Sequence, residues 1–519
     1  MKKLLLVLLA VLLILSMVAC GGPSETESNA PETETDDTSG ETGKETPGGY
    51  DASFDRSTVK DDVPADLKFN GETVTFFVRT GSDELLQYEM DVDSVVNDTL
   101  YDAIYWRNKT VEERLGITIN TISQPGDYAD RVSWNDTLRT AVNTRSGDFD
   151  MAAIYMSTGS VLAVEGLYYN VIDFPYISLE KPWWNQSIKD ELTMFGALYY
   201  LAGDIAATEM TRTFCMFYNK NLFDKYYGKQ EGDLYSVIAE NKWTIDYMYD
   251  LVAGVNDDVD GSGTKTDGDI VGYMTGDPSK QNSWNDAWIA ACGIDITTKV
   301  NGIPELSFYN ERTLRAFDAV QRLCMTCPGT FATGETMENT TFINGKVLFG
   351  GGSLGSGAKF RDMRDSYGVL PLPMLEENQE GGYATTFSNA ASLITILSSL
   401  PETRKELVGA TLELMAAESY KQVTPNYCEV ALKTKYAEAP EDAKIYDLIL
   451  NSVQISFGYC YSTETLKGGP GGLAIGSLFR IINSDFTQSY EKNDEVYAEN
   501  LTKLINGLDE VAYNAMYGE

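Results

Sequence analysis

Apolar positions recur by two different periods along this chain, and the switches between them outline its elements. "ETVTFFVR" (72–79) alternates with period two and is rich in β-branched and aromatic residues, which predicts a strand. Within 95–116, Val96, Leu100, Ala103, Ile104, Val111 and Leu115 follow the helical period, and Gly116 suits a helix C-terminus. "ITINTI" (117–122) predicts a second strand, 128–145 a second amphipathic helix, and "FDMAAIYM" (149–156) a third strand. This β-α-β-α-β order predicts an α/β fold with a parallel sheet, in which ligands bind beyond the C-terminal ends of the strands. Those ends lie near Arg79 and Thr80, and near Tyr155, Met156, Ser157 and Thr158. The middle of the chain continues in the same style. From about Glu402 it is mostly helical, with the helical period clear in 401–418 and 493–516.

The N-terminus follows a different pattern. Lys2 and Lys3 precede an unbroken apolar run (4–15) that ends in "MVAC". This is the layout of a secretory signal peptide over residues 1–20. "MVAC" resembles a bacterial lipobox, which implies that Cys20 is lipid-modified and begins the mature chain. Acyl chains on Cys20 would hold the protein on a membrane surface. The stretch that follows is acidic and nearly free of apolar side chains, so it cannot bury enough surface to fold. Residues 21–67 are expected to be a disordered acidic tether.

Composition narrows the possible chemistry. The chain of 519 residues is 43% hydrophobic and 11% aromatic, as a globular protein should be, and is long enough for two lobes. A formal net charge of −37 argues against nucleic acid as a partner. Histidine is absent, which excludes Ser-His-Asp and Cys-His machinery and every His-ligated metal. Cys324 and Cys327 form a C-x-x-C with no second pair at zinc spacing; free thiols and one local disulfide both fit it.

Three motifs carry chemistry. Gly350, Gly352 and Gly355 match a dinucleotide fingerprint formally, with Glu376 near the ribose-acid spacing, but five glycines in so short a run match many patterns, and a flexible turn is expected. In "DDVDGSGTKTDGD", Asp258, Asp260, Ser262, Thr264 and Asp269 fall at the ligand positions of a calcium loop, with Gly263 at the sharp turn. A structural calcium is therefore a candidate, an Asp/Gly-rich surface turn is the alternative, and no other cofactor is required. The aromatic pairs Trp183–Trp184 and Trp284–Trp288 lie among polar residues. The first follows a proline in a loop, and the second is spaced by one helical turn.

From Thr73 to the C-terminus the chain resembles the extracellular solute-binding proteins of the maltose-binding type (family 1), the lipid-anchored receptors of sugar ABC importers. The segments that carry the likeness, in family order, are "FDMAAIYMSTGSVLAVEGLYYNV", "ALYYLAGD" with "FCMFYNKNLFDKYYG", "NKWTIDYMYDLV", "FINGKVLFGGG" and "YGVLPLPM". The resemblance implies a two-lobed periplasmic-binding-protein-like fold (type II) whose lobes are joined by crossing hinge strands. One lobe would comprise 68–195 and 375–450, the other 196–374 and 451–519. It also implies a receptor rather than an enzyme, working as a monomer on the outer face of the bacterial cytoplasmic membrane and passing a carbohydrate to ABC permease subunits. Trp284 aligns with a sugar-stacking ring and Asn282 with a polar contact. Arg79, Tyr155, Ser157 and Trp183 would face the ligand from the first lobe, and Glu209 and Arg212 from the second. Where relatives have a tryptophan after the "G-K" strand, this chain has a glycine-rich loop around Leu354, the ligand-side residue expected there. Around 467–476 it likewise has no aromatic where they do. These departures leave sugars as a class without specifying a maltodextrin. The competing class is a secreted glycoside hydrolase using two carboxylates, which needs no histidine.

Overall fold

The computed structural model describes residues 54–228, 234–333, 340–360, 363–429, 440–463 and 472–517. The signal peptide, Cys20 and most of the acidic segment lie outside the described residues. The principal elements are β1 (Thr73–Thr80), α1 (Thr99–Leu115), β2 (Thr118–Pro125), α2 (Arg131–Thr144), β3 (Met151–Tyr155), β4 (Phe214–Asn219), β5 (Ile270–Thr275), α3 (Asp286–Ala291), β6 (Val347–Ser353), β7 (Tyr367–Leu370), β8 (Ser392–Ile396), α4 (Lys405–Glu418) and α5 (Asp494–Tyr517).

The first sheet has the order β8-β3-β1-β2. β1 runs parallel to β2, from Thr73 beside Thr118 to Thr80 beside Pro125, and parallel to β3 at Phe76–Met151. The expected parallel core is therefore present, and β8 adds an antiparallel edge at Ser392–Tyr155. Phe77 anchors it, stacked between Trp134 of α2 and Phe149 at 4.5 and 4.6 Å. α1 starts at Thr99 rather than Val96. The Asp98 carboxylate accepts the N–H groups of Leu100 and Tyr101 and so caps the helix, while Asn97 takes a left-handed backbone. Gly116, at φ 65°, ends it as predicted.

The second sheet has the order β7-β4-β6-β5, with short strands at Asn256–Asp257 and Thr330–Ala332 beside β5. It is mixed, since β6 runs antiparallel to β4 and parallel to β5. The glycine run expected to be a flexible turn is part of this sheet: Phe349–Ser353 pairs in register with Phe214–Tyr218.

Two chain segments cross side by side from one sheet to the other. At one end Leu201 and Ile394 exchange backbone hydrogen bonds of 2.8 and 2.9 Å. At the other, Phe214 N–H donates to Thr386 O and Ser388 N–H to Arg212 O, each at 3.0 Å. A third segment joins them where Thr385 donates to Ser452 O and Gln454 to Thr385 O. The result is a two-lobed α/β fold with crossing connections.

Three boundaries differ from the sequence expectation. The acidic tether does not extend to residue 67, because Arg56 and Val63 are buried and Asp61 pairs with Arg114 of α1 at 2.6 Å. Pro440–Asn451, expected with the first lobe, packs on β7 of the second sheet. α5, expected with the second, packs on Ser160–Glu165 beside β3 as well as on Ile303–Leu306. Helical period reveals an apolar face but not which sheet that face will cover. The six described cysteines are buried free thiols, so Cys324 and Cys327 are not bridged. Among the described residues no helix is long and apolar enough to cross a membrane.

Candidate functional site

A cleft of about 820 Å³ opens between the two sheets. One wall comes from the first lobe: 82–85, directly after β1, and 98–101, the capped start of α1. The opposite wall is the C-terminal end of β5 with 276–284, the glycines of β6 and the turn that follows. Thr211, Arg212, Phe214 and Ser388 of the crossing segments form the floor, and Tyr427 also contributes. This is where strand ends in an α/β fold place a ligand site.

Trp284 is the main apolar surface in that wall. The Asn282 carboxamide oxygen accepts the Trp284 N–H at 3.1 Å and starts the short turn that presents the ring. The indole Nε1 donates to Gly352 O at 3.0 Å, and the six-membered ring lies against the Gly351 backbone. Trp288 is fully buried and meets Trp284 edge-on at 5.5 Å and 87°. The spacing of one turn thus separates two roles, with Trp288 in the core supporting a half-buried Trp284 in the cleft. Below them Arg480 Nε pairs with the buried Asp286 of α3 at 2.7 Å, and Arg480 O accepts the Asn282 N–H at 3.1 Å, so the turn is held from two sides. Burial opposes ionisation of Asp286, and the facing Arg480 guanidinium offsets it.

Arg212 reaches the cleft from the crossing segment. Its Nε and Nη2 grip Asp83 Oδ2 at 3.0 and 2.7 Å, joining the loop after β1 to the floor. Asp98 is committed to capping α1, and Asp277 accepts from Ser279 and pairs with Lys280. Hydrogen bonds from Ser279 hold the Asp277 carboxyl below its usual range.

Of the residues expected from sequence, Arg212, Asn282 and Trp284 are brought together in this cleft. Arg79, Tyr155 and Ser157 cluster instead beneath the second crossing segment. Arg79 Nη2 donates to Ala390 O and Ser392 Oγ at 3.0 and 2.9 Å, and its guanidinium lies 5.0 Å from the Tyr155 ring centre. Burial, with the like charge of Arg212, pushes Arg79 down to about 10. Ser157 is fully buried, its N–H bound to Asn389 O. Leu354 is buried too: its N–H donates to Thr213 O at 2.9 Å, which turns the side chain away while Ser353 and Gly355 line the cleft. Trp183 and Glu209 line a different cavity altogether.

Sequence reasoning passed over Asp83, Tyr101, Gly351 and Tyr427. Asp83 and Gly351 did carry signals: the first follows a strand C-terminus by three residues, and a glycine within a strand marks a close approach.

In the Asp/Gly-rich loop the carboxylates of Asp258, Asp260 and Asp269 converge to within 4.8 Å. Each oxygen already accepts a donor. Asp258 takes the N–H groups of Ser262 and Gly263, Asp260 those of Ser262 and the Thr266 hydroxyl, and Asp269 those of Val259 and Thr266. The Ser262 hydroxyl donates to Thr264 O at 2.8 Å. Hydrogen bonds led by Thr266 and Ser262 hold Asp260 down to about 2, so it stays charged beside Asp269. All-oxygen donors of this kind fit a hard cation, with one lone pair per oxygen still directed elsewhere.

No family model matches the chain, and no curated protein does. Among solved structures the chain is similar to UgpB from Mycobacterium tuberculosis in complex with glycerophosphocholine, at 15% identity over 78% of this chain and 96% of that one, with a TM-score of 0.50. It is also similar to an ABC transporter solute-binding protein from Thermotoga lettingae bound with α-D-tagatose, at 16% identity, 84% and 100% coverage and a TM-score of 0.48. A third is the ABC substrate-binding protein Lmo0181 from Listeria monocytogenes with cycloalternan, at 14% identity, 86% and 97% coverage and a TM-score of 0.46. The chain has the two-lobed, periplasmic-binding-protein-like α/β fold.

Proposed function

We propose that this protein is an extracellular substrate-binding lipoprotein of an ABC importer. In this reading it is anchored through Cys20, captures a carbohydrate, most simply an oligosaccharide, between its lobes and hands it to membrane permease subunits. The observation that carries the reading is the half-buried Trp284, braced by Trp288 and set among Asn282, Asp83 and Arg212 in an open cleft of about 820 Å³. Sugar rings present apolar C–H faces and polar rims, and an aromatic platform flanked by fixed hydrogen-bonding groups answers both.

The same site speaks against hydrolysis. A glycosidase needs a carboxylic acid and a carboxylate poised across one bond, whereas three of the four cleft carboxylates, Asp83, Asp98 and Asp277, already hold an arginine, a helix start and a tight turn, which leaves the exposed Glu84 without an uncommitted second acid among the described lining residues. Incubating the protein with a panel of oligosaccharides, reading binding by calorimetry and products by chromatography, tests this. Saturable binding with the sugar recovered intact supports the receptor, and released product overturns it. In the Asp258–Asp269 loop we propose a structural calcium, because a cation would relieve the repulsion among three convergent carboxylates.

A further inference from the structure

A second cavity, of about 310 Å³, adjoins the crossing segments. Thr213 and Phe387 line it, whereas their neighbours Arg212, Phe214 and Ser388 line the cleft, so the crossing segments form the partition between the two spaces. Nothing in the transport reading uses this cavity. Its walls combine Trp183, Trp184 and Tyr420 with one basic and two acidic side chains, Arg56, Asp204 and Glu209.

The charges do not balance. Arg56 lies 3.6 Å from Asp204, and its guanidinium sits 4.3 Å over the Tyr420 ring. Glu209 is buried, and its carboxylate accepts only from uncharged groups, the Gly203 N–H at 2.8 Å and Asn185 Nδ2 at 3.4 Å. Asp204, the other acid lining the cavity, and Glu89 both push its carboxyl further up. Glu89 is itself spent on Thr208 and Ser392. Among the described residues the cavity lining therefore holds one more acid than it has cations, and burial pushes the Glu209 carboxyl well above its usual range. A cation beside it would restore the ionised form and supply the missing partner. The aromatic walls suit the same guest. The chain's own cations already occupy two of the rings, Arg56 over Tyr420 and Lys181 Nζ at 5.8 Å from Trp183. Trp184 is held in place by its Nε1 bond to Glu413 at 3.0 Å.

We propose that this cavity is a second binding site, for a small organic ammonium ion, with the cationic nitrogen against the Glu209 carboxylate and the carbon skeleton against Trp184. The site is independent of the sugar cleft.

The test is calorimetry and thermal shift on the full chain with ethanolamine, choline and putrescine, and with butanediol as the neutral match to putrescine. At least one ammonium probe should bind saturably below about 10 mM and raise the melting temperature, while butanediol should not. Glu209→Gln, which keeps the shape, should weaken that binding at least about tenfold. Trp284→Ala, which strips the sugar platform, should leave it intact, so failure of the sugar reading and failure of this one are told apart. If Glu209→Gln does not fold, Met210→Trp fills the cavity from a half-buried lining position and should abolish binding. Silence from every ammonium probe, equal binding of butanediol, or binding that survives Glu209→Gln or Met210→Trp overturns the proposal.

Discussion

The indole of Trp284 rests so closely on the backbone of Gly351 that a Cβ built there would come within 2.1 Å of Trp284 Cζ2. The glycine in the middle of β6 is thus explained by the ring that covers it: any side chain at 351 must push the platform into the cleft. The Nε1 bond to Gly352 O fixes the ring on the same strand.

Gly351→Ala should consequently weaken binding of the cognate sugar by about 1–3 kcal/mol, the range for forcing a methyl into a packed contact. Trp284 fluorescence should shift in the unliganded protein. Calorimetry and emission spectra check both, and an unchanged affinity would mean that the ring's position does not matter to the ligand.

Asp83→Ala releases Arg212 from the grip that ties the first-lobe loop to the floor. The carboxylate is 37% exposed, so the pair adds little to stability, about 0–1 kcal/mol. We expect the melting temperature to change little and sugar affinity to fall about tenfold, or about 1.4 kcal/mol. Paired melting and titration curves read the two effects separately.

Much of this arrangement was legible in the sequence, and the limits have physical causes. The periods over 72–79, 95–116 and 149–156 gave strands and helices in their correct order, because each element buries one face against one sheet. Trp284 is conspicuous in the sequence as a ring among polar residues, whereas Asn282 and Arg212 are expected only from the family resemblance; all three line the cleft. Arg79 and Ser157 were misjudged because a strand end can face either the cleft or the crossing segment above it, and only the packing of 388–392 decides that. Leu354 was misjudged because one residue of register separates the cleft side of β6 from the core. Trp183 is conspicuous in its polar loop and Glu209 is expected only from the resemblance, yet the space they line depends on how 201–214 folds back over 183–185, a long-range contact no local pattern reports.

Glu413 of α4 gives a pH dependence. It is fully buried, accepts from Trp184 Nε1 at 3.0 Å and Ser178 N–H at 3.2 Å, and burial pushes its carboxyl up to about 7. A folded-state value above the unfolded one means the folded chain binds the proton more tightly. The stability this contributes is complete below the unfolded value of 4.5 and is lost as pH rises through about 7, at a cost of order 3 kcal/mol. Glu413→Gln keeps an acceptor and cannot ionise. It should melt above the wild type at about pH 8 and match it at about pH 4.5. Melting curves that stay parallel across that range would contradict the assignment.

For the Asp258–Asp269 loop, removing divalent ions with a chelator should lower the melting temperature, and calcium should restore it. Asp258→Ala should abolish the response to both. If the chelator has no effect on the wild type, the loop is a turn held by its own hydrogen bonds alone.

The most direct test of the central claim, that Trp284 is the platform for a sugar held between the lobes, is titration calorimetry of Trp284→Ala and Trp284→Phe with the cognate oligosaccharide, beside melting curves with and without it. Trp284→Ala should lose about 2–4 kcal/mol of binding, as expected when a desolvated aromatic anchor is truncated. Trp284→Phe should lose less, since it keeps a stacking face, and both should melt near the wild type without sugar. Normal binding by Trp284→Ala together with a much lower melting temperature would contradict the account, because the ring would then belong to the core and not to the ligand.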